Sequence, residues 1–215
     1  FVFDLITNGT AYSVSKGDGI GYVSSVTIPE TYEGLPVTTV EGSAFDGCSS
    51  LVEINIPDSV TNIELGIEGG YTAGSAFNGC RNLLYVNVYP TKEVTNRKFM
   101  SHDGVLYEFL TGGGVSLKYY PKYREGAYVI PDYVTELPSK SLYSKTYLTE
   151  LVIPEGIKKI GANAFQSCSK LTKIVFIDAG PDAPEIALGK DVFKSNSALV
   201  EITLPSNISN ITATM

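Results

Sequence analysis

A 23-residue unit recurs along this chain, and a recurring unit of that length restricts the fold more than any other property of the sequence. The unit is complete from Leu148 to Lys170, with apolar residues at Leu148, Leu151, Ile153, Ile157, Ile160, Ala164, Phe165 and Cys168, and the next copy begins at Leu171. Its first half, Leu148-Thr-Glu-Leu-Val-Ile-Pro154, returns position for position as Leu51 to Pro57 and as Leu199 to Pro205. Leu83 to Tyr89 and Leu171 to Ile177 keep the apolar pattern but replace the proline. The second half returns as Ser43-Ala-Phe-Asp-Gly-Cys48 and Ser75-Ala-Phe-Asn-Gly-Cys80, with Asp191-Val-Phe193 as a weaker copy.

Alternation within Leu151-Val-Ile153 reads as a short strand, with 151 and 153 facing inward and 150, 152 and 154 outward. One such rung cannot bury its apolar face alone. Stacked as neighbours in a parallel sheet, successive rungs satisfy one another's backbone and close a continuous core. Pro57, Pro154 and Pro205 lack an amide donor and turn the chain out of the sheet. Ile157 and Ile160 then re-enter the core, and Ala164-Phe165 is expected on a single helical or 3₁₀ turn on the convex side.

These residues resemble the BspA-like leucine-rich-repeat family, with its Leu-x-x-Ile-x-Ile-Pro and Ala-Phe-x-x-Cys elements, over roughly residues 22 to 211. The resemblance implies an α/β repeat fold: a right-handed leucine-rich-repeat solenoid of about seven coils with a parallel concave sheet. It also implies a secreted or cell-surface bacterial protein, some relatives of which adhere to host matrix proteins. Fold carries over from such a resemblance better than activity does.

In chain order, Val2 to Ile6 and Thr10 to Val14, separated by Thr7-Asn8-Gly9, predict a β-hairpin, placed as an N-terminal cap over residues 1–21. The solenoid is expected over 22–215. The second coil has a Gly-rich insertion near residues 65–72. The third is interrupted at about 91–127 by a β-meander of 98–101, 105–110 and 115–120, broken at His102-Asp-Gly104 and Thr111-Gly-Gly-Gly114. Two loops are acidic or truncated: Asp178 to Glu185 in the sixth coil, and the seventh coil, which ends near Ile211 before any Ala-Phe turn.

Charge and motifs exclude several functions. A net charge of −7 and a pI near 4.8 argue against nucleic-acid and anionic-membrane partners, and the 16 basic residues are scattered singly along the chain. No apolar run reaches the length of a membrane span, and no signal peptide heads the sequence, so export requires a leader already removed. His102 is the single histidine. Ser101-His102-Asp103 is contiguous, and neighbours in a tight turn diverge, whereas a catalytic triad converges from separate segments. The chain carries no Gly-x-Ser-x-Gly, phosphate-binding loop or His-Glu-x-x-His, so no catalytic residue, metal ligand set or cofactor is assigned and an enzyme is not expected. Asp178, Asp182 and Glu185 lack an EF-hand spacing, so a solvated loop is favoured over a calcium site. Sequons at Asn8, Asn207 and Asn210 read as polar turns. Cys48, Cys80 and Cys168 share one repeat position, which predicts three free, buried thiols rather than a bridge.

Two surfaces remain for recognition. Outward strand positions form the concave face, among them Glu53, Asn55, Tyr85, Asn87, Tyr89, Val152, Lys173 and Val175, and the tyrosines 107, 119, 120, 123, 128, 133, 143 and 147 cluster in the insertion and the coils after it. Aromatic anchors concentrate binding energy. The expected contact therefore joins Tyr85, Asn87 and Tyr89 to Tyr119 and Tyr123, with Lys173 and Val175 at its margin. A monomeric, non-enzymatic adhesion module for an extracellular or host-matrix protein is the leading expectation. A carbohydrate-binding module with tyrosine platforms, made less favourable by the absence of Trp, and a passive spacer are the alternatives.

Overall fold

The computed structural model describes residues 1–6, 9–66, 74–91 and 97–208. The chain divides into two compact units, residues 1–109 and 110–215. Each is a stack of coils in which parallel strands repeat in register.

In the first unit, β1 (Val2–Ile6) and β2 (Ala11–Ser15) pair antiparallel, which is the hairpin expected there; its residues Thr7 and Asn8 lie outside the described residues. A 3₁₀ turn at Ile20–Tyr22 leads into β3 (Ser25–Thr27), which is followed by a small antiparallel pair, β4 (Thr31–Tyr32) and β5 (Leu35–Val40). β2 and β5 are parallel neighbours, so the hairpin shares a sheet with the first coil. The repeat strands β3, β6 (Glu53–Pro57) and β8 (Tyr85–Tyr89) form a second sheet, in the register Ser25–Glu53–Tyr85 and Thr27–Asn55–Asn87. Between them, β7 (Asn62–Ile63) pairs with β5. β9 (Phe99–His102) and β10 (Val105–Phe109) form an antiparallel hairpin.

The second unit repeats this plan. β12 (Gly126–Val129), β14 (Leu148–Ile153), β16 (Lys173–Phe176) and β18 (Glu201–Thr203) form one parallel sheet. A second ladder joins β11 (Val115–Tyr119), β13 (Glu136–Leu137), β15 (Lys159–Ile160) and β17 (Ala187–Leu188). Sequence reading placed residues such as Ile160 in the core without assigning them a strand. Each coil therefore closes with two short ladders rather than one.

The apolar positions of the 148–170 unit are buried as expected. Leu148, Leu151, Ile153, Ile160, Ala164, Phe165 and Cys168 are fully buried and Ile157 nearly so. Each large aliphatic side chain removed from water in this way contributes about 1.5–3 kcal/mol, which offsets the entropy of ordering a coil whose strand is only three to six residues long. Gly161 has a steric reason: a Cβ there would sit 2.2 Å from the Ser139 backbone nitrogen of the preceding coil.

The convex segments differ from the helical turns expected of them. Among the described residues the Ala-Phe segments are successive turns, and the reason is a recurring left-handed residue. Ser43, Lys140, Asn163 and Asp191 occupy one repeat position and Gly47, Gly79, Ser144, Ser167 and Ser195 another, all with positive φ. A left-handed residue at every fourth position of the turn cannot propagate a helix, whose amides all point along one axis. Here alternate amides close the turn, as Tyr143 N donates to Lys140 O at 3.1 Å. The others reach sideways to the next coil: Leu142 N donates to Ala164 O at 2.8 Å, Ser144 N to Gln166 O at 2.8 Å, and Phe165 N to Val192 O at 3.1 Å. The turn side of the solenoid is thus hydrogen-bonded between coils much as the sheets are. Gly47 and Gly79 match that requirement because glycine has no Cβ penalty at φ > 0, and Asn163 and Asp191 tolerate it; Ser43, Lys140, Ser144, Ser167 and Ser195 adopt it within the same bonded turns.

Candidate interaction surfaces

The outward face of the first unit is a set of polar side chains that hold one another. Asn87 Nδ2 donates to Glu53 Oε1 at 2.8 Å and to Asn55 Oδ1 at 3.1 Å. Asn55 Nδ2 donates to Thr27 Oγ1 and Ser25 Oγ to Glu53 Oε2, both at 3.4 Å. Register sets Asn87 beside Asn55, Asn55 beside Thr27 and Glu53 beside Ser25, and the Asn87–Glu53 bond crosses diagonally between the two rows. Tyr85, 43% exposed, stands at the end of this row. A tight turn fixes its base: a Cβ at Gly104 would lie 2.7 Å from the Tyr85 ring and 2.7 Å from Leu84 O. Tyr89, expected to face solvent, is half-buried and donates its hydroxyl to Ile28 O at 2.6 Å. Burial, and then the charges of Glu30 and Asp58, push its phenol up.

The corresponding face of the second unit is built differently. Its register sets Val129 beside Val152, Val152 beside Val175, and Val175 beside Thr203. The parallel row is Glu150, Lys173 and Glu201. Lys173 Nζ pairs with Glu201 Oε1 at 2.8 Å, and that hydrogen bond, with the charges of Glu201 and Glu150, raises the ammonium above its ordinary range. Val129 and Ile177 are exposed, at 62% and 45%.

Of the residues expected to form one contact, Tyr85, Asn87 and Tyr89 lie in the first unit and Tyr123, Lys173 and Val175 in the second. Tyr119 is a correction: it is 1% exposed and belongs to the core of the second unit. Tyr107 and Tyr128, at inward strand positions filled by aliphatic residues in other coils, are buried as well, and so is Tyr120 just after β11. Tyr123, Tyr133, Tyr143 and Tyr147 keep part of their surface in solvent.

The contiguous Ser101-His102-Asp103 lies on the strand end and turn of the β9–β10 hairpin. Ser101 Oγ accepts from Val88 N at 2.8 Å, His102 ends β9, and Asp103, with φ 49°, forms the hairpin turn with Gly104. Asp178 uses Oδ1 to accept from Gly180 N at 3.1 Å and from Ser206 N and Oγ at 3.1 and 2.8 Å, and these bonds, those from Ser206 above all, hold its carboxyl below the usual range. Among the described residues no three His, Cys, Asp or Glu side chains are grouped to hold a metal. Asn207 donates Nδ2 to Pro184 O at 2.8 Å and is 9% exposed; Asn8 and Asn210 lie outside the described residues. A cleft lined by Phe193, Ser195, Asn196, Ser197, Leu199 and Ile202 contains no titratable side chain.

All three cysteines are free and buried. Cys80 Sγ donates to Phe45 O at 3.0 Å and Cys168 Sγ to Leu142 O at 3.1 Å, the same bond made to the preceding coil in each unit. Desolvation raises these thiols, Cys80 to about 12 and Cys168 to about 11. Sequence reasoning missed Lys145, which occupies the cysteine position of its own coil. It is fully buried, with Nζ 5.9 and 6.0 Å from the ring centroids of Tyr119 and Tyr120, and burial pushes its amine well below the ordinary range. Aligning Ser141-Leu-Tyr-Ser-Lys145 with Ala164-Phe-Gln-Ser-Cys168 was the available signal. Also missed was Asp58, 1% exposed, which accepts from Thr91 N at 2.9 Å and Thr91 Oγ1 at 2.6 Å and pairs with Arg97 at 2.5 Å, so one buried carboxylate ties Thr91 to Arg97.

The chain matches the BspA-type leucine-rich-repeat region in six copies, over residues 19–88 and 126–215. Solved structures with a similar course are a leucine-rich-repeat protein of T. pallidum, at 21% identity over 95% of this chain and 80% of that one with a TM-score of 0.39, and a leucine-rich cell surface protein of Faecalibacterium prausnitzii, at 15% over 94% and 92% with 0.40. The pneumococcal vaccine antigen PcpA aligns at 20% identity over 92% of this chain and 72% of that one, with 0.36. A comparison with curated proteins finds no match.

Proposed function

Because the chain belongs to the BspA-type leucine-rich-repeat family, whose repeats build scaffolds for recognition, we propose that it is a non-enzymatic interaction module that binds an extracellular protein at a bacterial cell surface. The observation that carries this reading is the outward face of β3, β6 and β8. Ser25, Thr27, Glu53, Asn55 and Asn87 are held by hydrogen bonds to one another, so a partner meets side chains already fixed in place. Preorganised polar groups lose little entropy on binding, and Tyr85 adds an aromatic anchor at the end of the row. The cell-surface location rests on the family resemblance. No helix of the described residues is long and apolar enough to cross a membrane.

The test is surface plasmon resonance of the full chain against a panel of extracellular-matrix proteins, with Tyr85→Ala combined with Asn87→Ala as the variant. Tyr89 is left intact because its bond to Ile28 O belongs to the fold. The reading predicts saturable binding to at least one member, largely lost in the variant while the circular dichroism spectrum is retained. Binding that the variant leaves unchanged removes this face from the site, and no binding across the panel removes matrix proteins as the partner class.

A further inference from the structure

The 16 basic residues, dispersed in sequence, are not dispersed in the molecule. Residues 1–109 carry 5 Lys and Arg against 13 Asp and Glu, a net of −8, whereas residues 110–215 carry 11 against 10, a net of +1. Within the second unit, three of the eleven cations lie at one corner, where a coil leaves its turn side and enters the outward sheet. Lys122 and Arg124 precede β12 there, and Lys170 precedes the next coil but one. Glu125 is the single acidic residue in these corner segments. The equivalent corners of the first unit, residues 46–51 and 78–83, hold one Asp and one Arg.

Tyrosine rings organise this corner. Lys170 Nζ lies 4.5 Å from the centroid of Tyr147, the Tyr147 and Tyr123 centroids are 6.0 Å apart, and Lys122 Nζ lies 5.7 Å from that of Tyr123. The four side chains form a continuous run of cation, ring, ring and cation. Arg124 stands beside it, its Cζ 5.5 Å from the Tyr128 centroid and 5.9 Å from that of Tyr120. A ring quadrupole positions a cation without cancelling its charge, whereas a carboxylate partner neutralises it. That is the difference between Lys170, held on Tyr147, and Lys173, paired with Glu201 at 2.8 Å only three residues on.

The main chain at the corner is already committed. Gly126 N donates to Tyr147 O, Leu148 N to Lys145 O, Leu171 N to Cys168 O and Thr172 N to Thr149 O, between 2.8 and 3.2 Å. A peptide cannot add here as a strand, because strand addition needs an open edge of amides and carbonyls. Recognition rests on ammonium and guanidinium donors flanked by planar amphipathic rings, a set suited to anionic groups carried on a ring-shaped backbone.

We propose that the corner formed by Lys122, Tyr123, Arg124, Tyr147 and Lys170 binds an acidic polysaccharide, its carboxylate or sulfate groups meeting the cations and its sugar rings lying along the tyrosines. This surface is separate from the outward face of the first unit and does not depend on a protein partner there. The full chain is titrated calorimetrically with a heparin-derived oligosaccharide, with polygalacturonate, with neutral dextran and with poly-L-glutamate. Binding to either acidic glycan, weakening as salt screens the charges, with none to dextran and at least about tenfold weaker binding to poly-L-glutamate, is the expected result. The pair Lys122→Gln with Lys170→Gln lowers the glycan affinity by at least about tenfold, two charge-assisted contacts being lost. Tyr147→Ala lowers it too, while Lys158→Gln and the Tyr85→Ala, Asn87→Ala pair leave it unchanged. Failure of both acidic glycans to bind overturns the proposal. Equal affinity for poly-L-glutamate assigns the corner to acidic polypeptides instead, and an equal loss in Lys158→Gln reduces the effect to diffuse charge; either result also overturns it.

Discussion

The two units stack the same coil by the same backbone bonds, yet their outward faces follow opposite designs. In the first, Asn87, Asn55, Glu53, Ser25 and Thr27 hydrogen-bond across the strands and an exposed tyrosine ends the row. In the second, Val129, Val152 and Val175 run side by side, and the charged row beside them pairs Lys173 with Glu201. On the turn side the contrast falls within the second unit: Cys168 repeats the bond that Cys80 makes to the preceding coil, whereas the same position at Lys145 is a buried amine near two tyrosines. The difference shows which parts of the repeat the fold needs. Inward positions and left-handed turn residues are common to both units, because stacking uses them. Outward positions are free to differ, because neither packing nor the ladder constrains them.

The largest effects are expected where the units agree. Ile54→Ala in the first unit and Ile174→Ala in the second remove fully buried aliphatics at one repeat position, and each should cost about 2–5 kcal/mol in urea denaturation. A markedly cheaper loss in one unit would break the equivalence of the two stacks.

Next in size is Lys145, where one coil of the second unit departs from the cysteine position that Cys80 and Cys168 share. Its folded amine titrates below the unfolded value of about 10.4, so over the interval between them the unfolded chain binds more protons. Its contribution to stability is therefore fully present above about pH 10.4 and is lost as pH falls through the folded value. Lys145→Met should raise stability at pH 7 by more than about 1 kcal/mol, by removing a buried group that must lose either its proton or its solvation. It should also flatten the pH dependence; an unchanged melting temperature would show that the tyrosine rings fully compensate the amine.

Smaller changes should come from the outward rows. Asn87→Leu removes two cross-strand hydrogen bonds, and an expected cost of about 1 kcal/mol distinguishes a face that is structurally tied from one that is not. Val152→Ser, on the second unit's half-buried outward row, should cost far less than Leu151→Ala beside it. The smallest shift is expected from Tyr85→Ala, within about 0.5 kcal/mol by thermal melting, since its ring meets solvent. A larger loss would place that ring among the groups that fix the hairpin turn at Gly104.

Much of this was legible beforehand. Leu148, Leu151, Ile153, Ile157, Ile160, Ala164, Phe165 and Cys168 were assigned to the core from spacing alone, and the hairpin strands from alternation around Thr7-Asn8-Gly9. The helical turns were not, because Ala-Phe reads equally as one turn of helix or as a chain of left-handed corners. Choosing between them depends on the neighbouring coil, whose carbonyls at Ala76, Ala164 and Val192 receive the amides that a helix would have kept. Tyr119 was misplaced for a related reason: an inward and an outward tyrosine look alike until the strand's register against its neighbours is known.

Period and apolar spacing thus determined the coil and its inward face, since burying a 23-residue amphipathic unit admits little besides stacking it. What only the tertiary structure decided is which distant residues share a corner or a row. Lys122 and Lys170 are 48 positions apart in sequence, and Asn87 and Glu53 are 34, yet each pair is joined through side chains on coils that stacking brings together. Local sequence sets what a coil buries, while stacking at about 4.8 Å per strand sets what its surface residues meet.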